Sequence, residues 1–209
     1  MLNIEVRWLT GSDMRGIIAT LLLLLLIGQI QALPNGIDRR GDNGCVCHGG
    51  ADDSTSVTLE GLPEEYNTSQ EYNITLKIVS SVEQNDIQGG FRIIISEGEI
   101  IGGNWTFMDG GYTHSEEISD RRVWNAVWIA PAEDDVLATF IIHGNAVNGD
   151  GSASGEDEWN SQSLSVPGPE YTGDTAPPEL SNSVSNPQKA IAAIALLFVI
   201  VLAVVAIRD

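Results

Sequence analysis

The residues best suited to chemistry lie next to one another in the sequence GCVCHG at residues 44–49. Thiolate and imidazole groups bind soft and borderline metals, and neighbouring glycines let the backbone close around a ligand. The pattern resembles a c-type haem attachment site, but one residue instead of two separates the cysteines. It predicts a site for haem or for copper, zinc or iron, which other histidines of the chain would complete. The predicted ligands are Cys45, Cys47, His48, His114 and His143.

The same cysteines allow a second interpretation. Two cysteines in an oxidising compartment commonly pair, so a strained disulfide between Cys45 and Cys47 is the alternative to a metal site. Strand alternation places His143 on the side opposite Phe140 and Ile142, where a histidine is more often hydrogen-bonded than a ligand. Both interpretations stay open at the level of sequence.

Residues 148–156, where oxygen-bearing side chains alternate with glycines, form a second candidate cation site. The candidate calcium ligands are Asn148, Asp150, Ser152 and Glu156. The spacing does not match the calcium-hand loop, and Asn-Gly-Asp-Gly is also typical of an ordinary turn, which we favour. The sequence contains no nucleophile elbow, phosphate loop or zinc-protease helix, so we assign no catalytic residue, and hydrolytic catalysis stays a third alternative that no motif supports.

The elements that must position these residues are strands. Apolar residues alternate with polar ones in short runs separated by Gly-Gly and Asp-Gly pairs, and no helical period occurs among them. This pattern predicts an all-β fold, an antiparallel β-sandwich of six or seven strands over residues 51–166. The predicted stripes are Val57/Leu59, Tyr72/Ile74/Leu76/Ile78, Phe91/Ile93/Ile95, Trp105/Phe107, Trp124/Ala126/Trp128 and Val136/Ala138/Phe140/Ile142.

Both ends of the chain predict export. Residues 1–32 have the basic flank, apolar centre and small residue of a secretory signal, with cleavage after Ala32 and Met14 as a plausible true start. Residues 33–50 then form an N-terminal Cys/His segment. Three N-x-S/T sequons, at Asn67, Asn73 and Asn104, would be usable in an exported domain.

The C-terminus predicts a membrane anchor. Residues 167–188 are rich in Pro, Ser and Asn and predict an extended linker. Within the final segment 189–209, residues 190–207 are apolar without interruption, and a helix of that length spans roughly 27 Å, enough for a single crossing. The predicted protein is therefore single-pass, in the cell membrane, with its domain on the extracellular side.

The charge of the chain limits its partners. Residues 33–188 contain 26 acids and 6 bases, a net charge of −20. Such a surface repels phosphate backbones, so nucleic-acid binding is excluded, and it repels anionic lipid headgroups as well. A surface protein or a glycan is therefore a more suitable partner than a nucleic acid or an anionic lipid.

Several short motifs occur in an order that resembles the choice-of-anchor domain family of prokaryotes, V type, which is itself similar to the reelin-type extracellular β-sandwich. The resemblance covers residues 41–160 and implies an exported domain with an interchangeable C-terminal anchor. It also implies a site at Cys45, Cys47, His48 and His114, with Asn145 as a structural turn residue. Some members have the two-residue cysteine spacing of a haem site, from which this chain departs. The motifs are GCVCHG (44–49), Gly90-Phe91, Thr113-His114-Ser115, Trp128-Ile129-Ala130-Pro131 and GNAVNGDG (144–151).

These patterns give two functional hypotheses. The first is a membrane-anchored extracytoplasmic β-sandwich that binds a metal or haem through the CxCH segment, for electron transfer, metal handling or sensing. The second is a structural or adhesive cell-surface module with a Cys45–Cys47 disulfide and no cofactor.

Overall fold

The computed structural model describes residues 35–48, 50–180 and 186–208, the last with side chains for 189–204. The predicted signal peptide, residues 1–32, lies outside the described residues. Residues 35–180 belong to one compact unit and the C-terminal helix belongs to another. The first unit contains both sheets and the whole described hydrophobic core, so it has what a domain needs to fold on its own.

Two antiparallel sheets make up this unit. The strands are β1 (Ser56–Glu60), β2 (Glu71–Val79), β3 (Gly89–Ile95), β4 (Glu99–Ile101), β5 (Thr106–Met108), β6 (Gly111–Thr113), β7 (Val123–Ile129), β8 (Leu137–Ala146) and β9 (Glu158–Pro167). The first sheet has the strand order β1-β2-β7-β4 and the second has the order β5-β6-β3-β8-β9. Of the Gly-Gly and Asp-Gly pairs, Asp109-Gly110 forms a turn as expected: both residues have positive φ, 45° and 81°, which suits a two-residue hairpin between β5 and β6. Gly89-Gly90 lies in β3 instead, and Asn145, which the resemblance placed in a turn, lies in β8.

The core lies between the sheets and consists largely of the predicted stripes. Their side chains alternate with outward-facing ones, as a period of two requires. Burial of each large apolar side chain contributes about 1.5–3 kcal/mol to folding. The all-β sandwich is therefore confirmed, but the described residues form nine strands where the sequence predicted six or seven. Its most deeply buried apolar side chains include Ile74, Leu76, Phe91, Ile93, Trp128, Phe140 and Ile142.

The first part of the predicted linker is tied to the domain. The backbone N–H of Gly168 donates to Val136 O (3.0 Å), and that of Glu170 donates to Asp134 O (2.9 Å). Further along, the Ser165 hydroxyl donates to Thr175 O. A free extended segment could begin only after these contacts, and residues 181–185 lie outside the described residues.

Helix α1 runs from Asn186 to Arg208 and includes the apolar residues 190–207. Among the residues that the structure describes, no helix combines the length and apolarity that a membrane crossing requires. The single-pass anchor therefore remains a prediction.

Candidate functional site

The predicted Cys/His segment lies across the outer face of the second sheet, the face turned away from the core. We call residues 35–48 the strap. Its Ile37 N–H donates to Thr113 Oγ1 (3.0 Å), and its Ile37 carbonyl accepts from Arg92 Nη1 (3.3 Å). Arg92 lies on β3 between the core residues Phe91 and Ile93, so its side chain emerges on the outer face. The strap is thus a second layer over this sheet.

Arg92 is the main attachment point of the strap. Its side chain is fully buried, and its Nε donates to Asp42 Oδ1 (2.8 Å). The remaining guanidinium nitrogens donate to carbonyl oxygens of Ile37, Met108 and Asp109. Because a buried guanidinium is costly unless its donors are satisfied, these bonds fix the strap in one position.

His143 holds the strap from the neighbouring strand. It is 1% exposed and stands opposite Arg92 in the β3–β8 pairing. Its Nε2 donates to Asp42 O (3.1 Å), and its Nδ1 lies 2.6 Å from Ser161 Oγ. Burial lowers the pKa of His143, and the bond to the Asp42 carbonyl partly offsets this effect. The prediction that His143 faces away from the core stripe is confirmed, but both ring nitrogens are engaged in hydrogen bonds.

His114 is also built into the structure. It is 7% exposed, and its Nδ1 accepts from the backbone N–H of Phe91 (3.1 Å). A Cβ at Gly90 would lie 2.4 Å from His114 Cε1, so the imidazole occupies the space that glycine leaves open. The structure does not bring His114 into a common group of metal ligands with the CxCH segment.

The two cysteines lie in different surroundings, and both are free thiols. Cys45 is half-buried as a residue, but its thiol is desolvated, which together with the nearby Cys47 raises the pKa of Cys45 to about 12. Cys47 is exposed in a short 3₁₀ turn, Val46–His48, that begins with the bond from His48 N to Cys45 O (2.9 Å). The thiols therefore do not face solvent as a pair.

His48 is the one predicted ligand with a feature typical of metal sites. Its Nδ1 lies 2.7 Å from Asp157 Oδ2 and must be the donor, since a carboxylate only accepts. The Asp157 side chain is fully buried and also accepts from the backbone N–H groups of Asn148 and Ser154. A carboxylate that fixes one imidazole nitrogen leaves the other oriented for coordination.

The ligand set for a cofactor is nevertheless incomplete. Within residues 35–48, 50–180 and 189–204, no group of three or more His, Cys, Asp or Glu side chains is placed to hold a metal ion. A haem joined through both cysteines does not fit either, because the Cys45 thiol is desolvated while Cys47 faces solvent. We derive no chemistry through a haem.

The candidate calcium loop uses its oxygen atoms internally. Asn148 Oδ1 accepts from Asp150 N (3.0 Å), and Asp150 Oδ1 accepts from Ser152 N (2.8 Å). Asn148 Nδ2 donates to Glu156 Oε2 (3.2 Å). Consecutive bonds of this kind are those of Asx turns, so the geometry agrees with the turn that the sequence favoured.

Sequence reasoning missed the groups that anchor this region, above all Arg92, Asp157 and Glu158. The Glu158 carboxylate accepts from the hydroxyls of Thr55 (2.7 Å) and Ser80 (2.7 Å), which lowers its pKa. Asp157 and Glu158 follow Glu156 in an acidic run, and nothing in such a run indicates which carboxylate is buried.

The predicted sequons are all exposed. Asn67 Nδ2 donates to Gln70 Oε1 (2.9 Å), and Asn104 Nδ2 donates to Glu117 Oε2 (3.1 Å). Asn73 lies on β2, directly opposite Val127 of β7.

Among known proteins, similarity to this chain is found only in solved structures. No protein-family model and no curated protein matches the chain. Among solved structures, the human F-spondin reeler domain is similar at 17% identity over 54% of this chain and 91% of that chain, with a TM-score of 0.33. A conjugative transposon lipoprotein from Bacteroides eggerthii is similar at 12% identity over 54% of this chain and 97% of that chain, with a TM-score of 0.34.

The reelin-type domain, to which the choice-of-anchor family was expected to be similar, is among the structures found. Membership of the choice-of-anchor family itself is not confirmed.

Proposed function

We propose that this chain is a cell-surface module, held at the membrane with its β-sandwich on the extracellular side, that works by recognising a partner at its surface. The signal-like residues 1–32, the sequons and the strongly acidic domain support export. In this proposal α1 supplies the anchor, since residues 190–207 are uninterruptedly apolar. A surface protein or glycan is the partner class that an exported acidic domain suits best.

One observation carries the proposal: the CxCH segment is the end of the strap, which is a structural layer over the second sheet. Its flanking residues hold Arg92 and His143, and the metal ligands predicted beyond it are occupied in hydrogen bonds that build the fold.

The test uses residues 33–188, purified from an oxidising compartment. We expect a colourless protein without stoichiometric metal. A Soret band, or one equivalent of copper, zinc or iron that is lost in Cys47→Ser or His48→Ala, would overturn the proposal. For the anchor, we expect the full chain to remain in membranes after alkaline extraction and the chain ending at residue 188 to be released.

A second function, metal binding at Cys47 and His48, is favoured by the His48–Asp157 contact alone. It requires that His48→Ala abolish metal uptake from a zinc or copper(I) solution. Lys77→Ala, on β2 of the other sheet, is the control and must leave that uptake unchanged.

A further inference from the structure

The outer face of the first sheet carries aliphatic side chains that no segment of residues 35–180 is seen to cover in the way the strap covers the second sheet. On β7 and β4, core-facing residues alternate with Val123, Val127, Ile129 and Ile101, which therefore face outward. Val123 is 45% exposed and Ile101 is 40% exposed. Because Ile101 stands directly opposite Val127, and Ile129 is the next outward-facing residue of β7, these three side chains are neighbours, whereas the outward-facing Asn125 separates them from Val123. We call this surface the open face.

Acidic residues flank the open face. Ile129 stands between Glu71 of β2 on one side and Glu99 of β4 on the other, both in direct register. The only base in these registers, Lys77, lies at the opposite end, against Val123. An apolar centre with two carboxylates beside it is complementary to an aliphatic group flanked by lysine or arginine.

The charges also argue against a second copy of this chain as the occupant. Two copies packed through the open face would bring together two domains, residues 33–188, each of net charge −20. Like charges in an interface cost several kcal/mol.

Strand addition at the nearby edge is disfavoured as well. The backbone N–H of Ile100 on β4 donates to the Tyr112 hydroxyl (3.0 Å). This amide is therefore not available to pair with an added strand, so a partner would contact the face through its side chains.

We propose that the open face docks a cationic amphipathic segment of another protein, with its aliphatic residues against Ile101, Val127 and Ile129 and its basic residues against Glu71 and Glu99. The proposal rests on the proposed recognition function and names the surface and the partner chemistry. It also requires that Asn73 be unmodified, because a glycan on this residue, opposite Val127, would cover the face.

The probe is a synthetic 18-residue helical peptide with a leucine stripe flanked by lysines. Its controls are a Leu/Glu peptide of the same pattern and a scrambled Leu/Lys peptide. Binding to residues 33–188 is measured by fluorescence anisotropy at low and high salt. We expect the patterned Leu/Lys peptide alone to bind well, and to bind more weakly as salt rises.

Two sets of variants locate the contact. Val127→Thr combined with Ile129→Thr keeps β-branched side chains and should weaken binding about tenfold. Val79→Thr is the matched control, since Val79 is 53% exposed at the far end of β2, and should leave the affinity unchanged. Glu71→Gln with Glu99→Gln cannot disturb the core, and should weaken binding about fivefold at low salt and not at high salt.

Three results would overturn the proposal. They are equal binding of the scrambled peptide, unchanged affinity in both double variants, and a glycan found on Asn73 of the native protein. A dimer that forms in high salt and is lost in Val127→Thr/Ile129→Thr would replace the cationic partner by a second copy. None of these results bears on cofactor content, so the proposed function is judged separately by the metal and absorption measurements.

Discussion

The two outer faces of the sandwich differ in what lies on them. The second sheet is covered by the strap, which buries an arginine and a histidine, whereas the first sheet leaves Val123 and Ile101 exposed. Buried polar groups must be satisfied in full, so the covered face is committed to one arrangement. Exposed aliphatic groups impose no such demand. The comparison supports a structural role for the strap, and it is the reason why we propose the open face as the surface for recognition.

The largest effect is expected where the covered face loses its central cation. Arg92→Ala leaves the Asp42 carboxylate and three carbonyl oxygens without their donor, and should lower the free energy of unfolding by about 3–5 kcal/mol. Lys77→Ala, on the open face, should change it by less than about 0.5 kcal/mol. Urea unfolding of both variants tests the difference, and equal losses would contradict it.

The next effect concerns the fit of the strap. Gly44 has φ +103°, and a Cβ there would lie 2.2 Å from the Trp159 ring. Gly44→Ala should therefore cost about 1–3 kcal/mol more than Gly102→Ala, because Gly102 also has positive φ (+79°) but open space around it. Thermal or urea unfolding measures both, and similar losses would show that no contact with Trp159 constrains the strap.

A smaller effect depends on pH. The pKa of His143 is lowered by burial, so below its ordinary value of 6.5 the unfolded chain binds a proton that the folded chain does not. The contribution of the neutral His143 to the free energy of unfolding should be complete above about pH 6.5. It should decrease as the pH falls toward the lowered pKa of His143. His143→Gln should remove this slope. The pKa of Glu158 is also lowered, so stability should fall again below 4.5 in both proteins. The measurement is the urea midpoint of both proteins as a function of pH. If the midpoint of His143→Gln changed with pH as steeply as that of the unmodified protein, the account would be contradicted.

The smallest effect on stability is expected at the exposed thiol. Iodoacetamide at pH 8 should modify Cys47 in the folded protein without loss of stability, while Cys45 should react at least about a hundredfold more slowly until urea is added, because its pKa is near 12. Peptide mass spectrometry follows both sites. Equal rates, or no reaction at either cysteine because they are paired, would contradict this arrangement.

The sequence predicted those parts of the fold that depend on a period of two. The long strands were recognisable because each has an inward stripe of large apolar residues, as in Ile74, Leu76 and Ile78 of β2. Strand β9 was not recognised from the sequence, because it lacks such a stripe. Serines occupy most positions on one of its sides, and the other side includes Gln162. That glutamine accepts the Leu59 N–H (2.8 Å), a role that no local pattern shows.

The site was less predictable for a related reason. The CxCH segment stands out in the sequence, but the position of the strap depends on Arg92 and His143, which lie about 50 and 100 residues from their partner Asp42. In the sequence, Arg92 is simply a polar residue between two apolar ones, which normally indicates a side chain in solvent. Only the pairing of β3 with β8 shows that it supports a second layer.

Removal of the strap tests the central claim most directly. Residues 33–188 and residues 50–188 would be compared by urea unfolding, with Val127→Thr/Ile129→Thr measured beside them. The account predicts that the shorter chain loses about 3 kcal/mol or more, because Arg92, His143 and Trp159 lose their cover, while the open-face variant is nearly unchanged. If the shorter chain were as stable as the longer one, the structural role of the strap would be contradicted. Metal binding by the CxCH segment would then become the better explanation of its residues.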